Sequence, residues 1–228
     1  EEADLILLNT CVVRQSAEDK VAGRLTSLKG LKRHRPGVRL AVMGCFVHEA
    51  AALQERYPWV DAFIAPSDID SVIAFALQAT AGQGCSGEKE AGSAAPGSLP
   101  VAAGVPISYG CDHLCTYCIV RLRRGREVSR PPADVVAQVR GLAGRGVREV
   151  TLLGQNVDSY GHDLPPMGPA QGPPTLADLL EVVHPTEELV RVRFLTSHPA
   201  DMTGWLIEMA ARLPKVCEHI ELPVQSGD

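Results

Sequence analysis

Three times in its first eighty residues the chain sets a short apolar run ahead of a segment with helical spacing, and this alternation restricts its fold more than any other feature. Residues 5–8 (LILL) are the first run, followed by Val21, Leu25 and Leu28 at helical intervals. Residues 39–43 open a second unit that passes Gly44 and Cys45 into a helix over 49–56. Residues 62–65 open a third, with Ser67 or Asp68 as N-cap ahead of Val72, Phe75 and Leu77. A continuous apolar run reads as a strand buried on both faces, and strands separated by helices run parallel, so a parallel α/β sheet is predicted over 1–80. Cys11 and Cys45 then fall just beyond the carboxyl ends of two strands, where open α/β sheets gather ligands. By spacing alone such a pair serves packing as readily as metal binding.

Residues 81–104 break the pattern: Ala, Gly, Ser and Pro dominate, which predicts a linker, and Cys85 within it is read as incidental. The alternation resumes in 105–228, with strands at 105–109, 149–153, 190–195 and 219–224 and helices over 132–143 and 202–213. Such a series predicts an arc of a βα barrel with its functional loops at the carboxyl-terminal face. Gly154, Gln155 and Asn156 follow the second strand, Thr196, Ser197 and His198 the third, and Gln225 and Ser226 the fourth. Taken alone, these small polar groups are equally what a plain turn requires, and a lone histidine such as His198 is more often structural than catalytic.

After the first of these strands comes GCDHLCTYCIVRLRRGR, placing Cys111, Cys115 and Cys118 within two helical turns, with Tyr117 directly before the last. A [4Fe-4S] cube takes four ligands, so three cysteines leave one iron open to a small molecule. Structural zinc is the competing reading, with His113 or a distant group as fourth ligand, but zinc knuckles come as paired C-x2-C or H-x3-H and no second knuckle follows. Residues 121–130 carry Arg121, Arg123, Arg124, Arg126 and Arg130 against a single acid, Glu127, a set suited to a carboxylate or to RNA phosphates.

The net charge of −5 excludes a surface that attracts nucleic acid everywhere, so RNA contact falls to that local run. Seven cysteines, an odd number, with no signal-peptide pattern and no membrane-length apolar run, predict a cytoplasmic protein whose thiols are metal-binding or catalytic rather than paired. Neither a membrane nor an obligate protein partner is implied. Both ends fall at the edges of apolar segments, as in a piece of a longer protein.

The C-x3-C-aromatic-x-C loop resembles that of the radical S-adenosylmethionine (SAM) enzymes. GREVSR at 125–130, LLGQNVDSYG at 152–161, FLTSHP at 194–199 and LPVQSGD at 222–228 are similar to their methylthiotransferase branch. The resemblance implies that Cys111, Cys115 and Cys118 hold a [4Fe-4S] cluster that reductively cleaves SAM. It implies that Tyr117, Gly154, Gln155, Asn156, Thr196 and Ser197 lie around the cosubstrate, and that Cys11 and Cys45, with a third cysteine preceding Glu1, ligate a second cluster. The implied fold is a partial methylthiotransferase α/β domain followed by a partial radical SAM barrel. The implied reaction adds a methylthio group to an adenosine of tRNA beside the anticodon, with an external one-electron reductant. A relative acting on a ribosomal protein and a zinc-stabilised nucleic-acid-binding module are the alternatives. The chain departs from the branch in FVHE after Cys45, where Gln is usual, and in Arg121-Leu122, where Pro-Tyr is usual.

Overall fold

The computed structural model describes residues 3–11, 15–66, 68–80, 100–168 and 172–225, so Ser67, Cys85 and Ser226 lie outside the described residues. The chain divides into two compact units, one of Glu1–Ala91 with Cys115–Arg124, the other of Gly92–Leu114 with Gly125–Asp228.

The first unit follows the predicted alternation: β1 (Leu5–Thr10), α1 (Gln15–His34), β2 (Arg39–Gly44), α2 (Ala50–Arg56), β3 (Ala62–Ile64) and α3 (Ile69–Thr80). Its three strands are parallel in the order β1-β2-β3, with Leu5 opposite Arg39 and Thr10 opposite Gly44. Central β2 is buried on both faces, as its apolar run requires. β1 is not, because it forms the sheet's edge and leaves Leu7 40% exposed, a correction to the two-sided burial read from its sequence. Leu25, Leu28, Leu40, Val42, Leu53 and Tyr57 make the main core, each leucine worth about 1.5–3 kcal/mol once out of water. Asp68 caps α3, its Oδ1 accepting the Ser71 N–H at 3.1 Å, and the Ser71 hydroxyl together with that N–H holds its carboxyl below the usual range.

In the second unit β4 (Ala102–Pro106), β7 (Glu149–Leu153) and β8 (Arg191–Phe194) form a parallel sheet in the order β4-β7-β8, while β5 (Ser108–Tyr109) and β6 (Val128–Ser129) pair antiparallel. α5 (Pro132–Gly144) starts on a proline, whose missing N–H costs nothing in a first turn, and buries Val135, Val139 and Ala143 along one stripe. α6 (Leu176–Val183) is not among the helices expected from the sequence. Thr175 and Asp178 form a full capping box, and Leu176, Leu179, Leu180 and Val183 bury its inner face. α7 (Gly204–Arg212) is capped by Thr203, whose side chain accepts the Leu206 N–H at 3.1 Å. The strand expected over 219–224 does not form. Val216 bridges to Val192, but within 219–224 the backbone pairing to a neighbouring strand end, among the described residues, is the Ser197 N–H on Glu221 O at 3.1 Å, and Ile220, Leu222 and Val224 stay exposed, because one bond does not make the continuous ladder a strand needs. The parallel α/β architecture with a barrel-like arc stands without it.

Candidate metal centre

The cysteine loop leaves the sheet through a pinched neck. Tyr109 pairs with Val128, and the Cys111 N–H donates to Gly125 O at 3.3 Å. Gly110 has φ +75°, and a Cβ there would stand 2.0 Å from Arg126 O. No other residue fits, so the glycine is required by close approach as well as by dihedral. The thiols sit on a loop and not on a helix. Cys118 N–H donates to Cys115 O at 3.0 Å in a turn, and the helix α4 (Val120–Arg124) begins only afterwards. Cys111 and Cys115 are half-buried, Cys118 is exposed, and none is in a disulfide. Tyr117 stands 65% exposed beside the last of them. Thiols on a surface loop, beyond the carboxyl end of a parallel strand, are chemically a donor set for an iron-sulfur cluster.

The loops after β7 and β8 meet the first part of this loop within the second unit. Gly154 lies so close to Ser108 that a Cβ would stand 2.6 Å from its Oγ, and its carbonyl accepts Thr196 Oγ1 at 3.0 Å. Thr196 has φ +71°, a left-handed conformation that is strained for a β-branched residue, and its N–H donates to Glu221 Oε2 at 3.1 Å. Gln155 is half-buried with its Oε1 unsatisfied. Asn156 is buried, and its Nδ2 donates to Asp201 Oδ2 at 2.6 Å. Ser197, also buried, donates to Asp158 Oδ1 at 3.0 Å, and Asp158 Oδ2 accepts the His198 N–H at 2.9 Å. Of the sequence-predicted residues, Gly154, Asn156, Thr196 and Ser197 thus converge in one network.

Sequence reasoning missed the acids that organise that network. Asp112, Glu127, Asp158, His162 and Asp201 line a cavity of about 570 Å³ together with His113, Ser159 and Tyr160. Burial pushes the carboxyls of Glu127 and Asp158 up, against the Ser159 hydroxyl that donates to Glu127 Oε2 at 2.5 Å. Asp201 is held low: burial opposes its charge, but hydrogen bonds from His113 and Asn156 outweigh it. His162 is raised even against burial by the Ser159 carbonyl and Asp112. The legible signal was VDSYG directly after GQN, because buried polar residues at strand ends must find partners.

In the first unit the register of β1 on β2 brings Cys11 and Cys45 to adjacent places one residue past Thr10 and Gly44. Cys11 is exposed, Cys45 is buried, and Arg124 Nε lies 3.1 Å from the Cys45 sulfur. Gly44, at φ +99°, lets the Cys45 N–H reach Thr10 O at 3.1 Å. His48 lies ahead of α2 rather than on it. The arginine run is not uniform. Arg130 is engaged by Pro106 O and Gln138, a structural use, whereas Arg123 lies on α4. The one group of His, Cys, Asp and Glu with metal-sized spacing among the described residues is His113, His198 and Asp201, and it includes no cysteine.

Residues 105–228, more than half of the chain, match the Radical SAM superfamily. The chain belongs to the radical SAM superfamily. Residues 1–65 match a second family, described as the uncharacterized protein family UPF0004. Over its whole length this radical SAM chain is 46% identical to the tRNA-2-methylthio-N(6)-dimethylallyladenosine synthase of Herpetosiphon aurantiacus and 47% identical to that of Chloroflexus aurantiacus, covering 50% and 47% of those proteins. It spans about half the length of the curated relatives it matches. Among solved structures, the radical SAM methyltransferase TsrM of Kitasatospora setae, with cobalamin and a [4Fe-4S] cluster bound, superposes with a TM-score of 0.61 over 97% of this chain and 50% of its own, at 14% identity. At that identity the likeness speaks for the fold alone. No helix among the described residues is long and apolar enough to cross a membrane.

Proposed function

We propose that the protein to which this chain belongs is a methylthiotransferase that adds a methylthio group to C2 of N6-isopentenyladenosine beside the anticodon of tRNA, in the cytoplasm, using SAM and an external one-electron reductant. The observation that carries this reading is the C-x3-C-x2-C loop with its pinched glycine neck, beyond the carboxyl end of a parallel strand, in a chain nearly half identical to such synthases. In this reading residues 1–80 and 102–228 are the two domains, the second beginning with β4 rather than at the expected 105, and 81–101 link them. Cys111, Cys115 and Cys118 would hold a [4Fe-4S] cluster, and Cys11 and Cys45 would serve a second. Bound at the loop, the cluster supplies the electron that cleaves SAM. Tyr117, Gly154, Gln155, Asn156, Thr196 and Ser197 orient the cosubstrate or hold the groups that do, and Asp201 and Asp158, bonded to Asn156 and Ser197, fix those two side chains. Arg123 would contact tRNA phosphate.

The test is Cys115→Ala in the full-length protein, reduced with dithionite under anaerobic conditions. Release of 5′-deoxyadenosine from SAM should vanish, and tRNA hydrolysates from cells carrying the variant should lack the methylthio nucleoside. Persistent 5′-deoxyadenosine would remove the loop from the reaction. A methylthio group found on a ribosomal protein instead, or zinc without iron and sulfide in the purified protein, would overturn the assignment.

A further inference from the structure

We propose that Asp201 is a positioning residue for the cysteine loop, a latch that ties the first part of the loop to the ends of β7 and β8. Its Oδ2 accepts Asn156 Nδ2 at 2.6 Å and lies 2.5 Å from Nε2 of His113, the residue two past Cys111. The His113 ring stacks on His198 at 3.9 Å between centroids and 12° between planes, and His198 Nδ1 accepts the Ala200 N–H at 3.2 Å. One carboxylate oxygen thus gathers a loop histidine and a β7-end amide that is 2% exposed, while the stacked ring brings in the loop after β8. Charge-assisted hydrogen bonds of this length are the strong ones, and each is worth most where water is scarce.

A divalent ion is the other occupant that the spacing of His113, His198 and Asp201 admits. The ring geometry argues against it: two imidazoles stacked face to face hold their nitrogens in parallel planes instead of converging on one centre, and one nitrogen of each already has a hydrogen-bond partner. The latch rests on the reading that Cys111, Cys115 and Cys118 hold a cluster. It goes beyond that reading by naming a residue, far along the chain, that governs how long the cluster stays.

The experiment uses the full-length protein reconstituted anaerobically with iron and sulfide, and follows iron release to a chelator in wild type, Asp201→Ala, His113→Ala and the double variant. Each single change should accelerate release about tenfold or more, the scale of a charge-assisted hydrogen bond. The double variant should be no worse than either single, as for two partners in one interaction. Leu180→Ala, a core change on α6 that removes no member of the latch, controls for general loosening. It should lower the thermal midpoint without accelerating release. Unchanged release in the singles, strictly additive effects, or equal acceleration by Leu180→Ala would each overturn the proposal. So would an extra metal ion per chain that is missing from Asp201→Ala. Failure of the wild type to take up any cluster would sink the parent reading instead.

Discussion

Gly110 carries the geometry of the neck, and its replacement is the sharpest test at the scale of single residues. Gly110→Ala meets both a left-handed φ and a carbonyl at 2.0 Å, so it should destabilise the second unit by about 2 kcal/mol or more and reduce bound iron. A thermal melt and an iron assay on one preparation check both. Glu127 supplies a pH test. Burial raises its folded pKa above the unfolded value, so in the interval between them the native state keeps a proton that the unfolded chain gives up. Stability therefore falls as pH rises through that interval, and the loss is complete above the folded pKa. Glu127→Gln removes this loss. The variant should gain on wild type in urea midpoint at neutral pH, and the gain should fade below about pH 4, where both states of a glutamate are protonated. An unchanged difference across pH would show that Glu127 titrates normally.

At the scale of elements, α6 rests on Thr175, which accepts the Asp178 N–H while Asp178 reaches back to the Thr175 N–H at 2.8 Å. Thr175→Ala should cost about 1 kcal/mol, read from a denaturant midpoint shift at constant slope. This helix was legible in Thr175-x-x-Asp178 and in the spacing of Leu176, Leu179, Leu180 and Val183, but the Pro- and Gly-rich stretch before it obscured its start. Most strands were readable because an apolar run between turn residues admits few alternatives, and β7 was legible over its full length, Glu149–Leu153. The segment 219–224 has the composition of a strand, yet pairing is a property of the neighbour and not of the segment, and periodicity is silent on neighbours. The site divides in the same way. Its cysteines announce themselves by spacing, whereas Asp158 and Asp201 acquire meaning only when Ser197, Asn156 and His113 are folded onto them.

At the scale of the whole molecule, a net charge of −5 sets the terms for RNA. Under the proposed function, long-range attraction to tRNA cannot come from this chain's surface at large, so its own share of the affinity resides in few phosphate-binding groups and responds to salt through few counterions. In the full-length protein Arg123→Ala should lower the slope of log affinity against log salt by roughly 0.7 to 0.9, the effect of taking one positive charge away from one phosphate. An unchanged slope in filter-binding titrations at several salt concentrations would take Arg123 out of the RNA interface.

The register of β1 on β2 has a consequence for how this chain tolerates insertions and deletions. Cys11 and Cys45 are neighbours because six residues are counted off along each of two strands from Leu5 and Arg39. Lengthening either strand by one residue would carry one thiol past the other and turn it to the opposite face of the sheet, with every other residue in the sequence unchanged. An extra turn in α1, which lies between the strands in sequence, would leave the pairing and both thiols in place. The number of positions between these cysteines is free to drift, and the two six-residue counts are not.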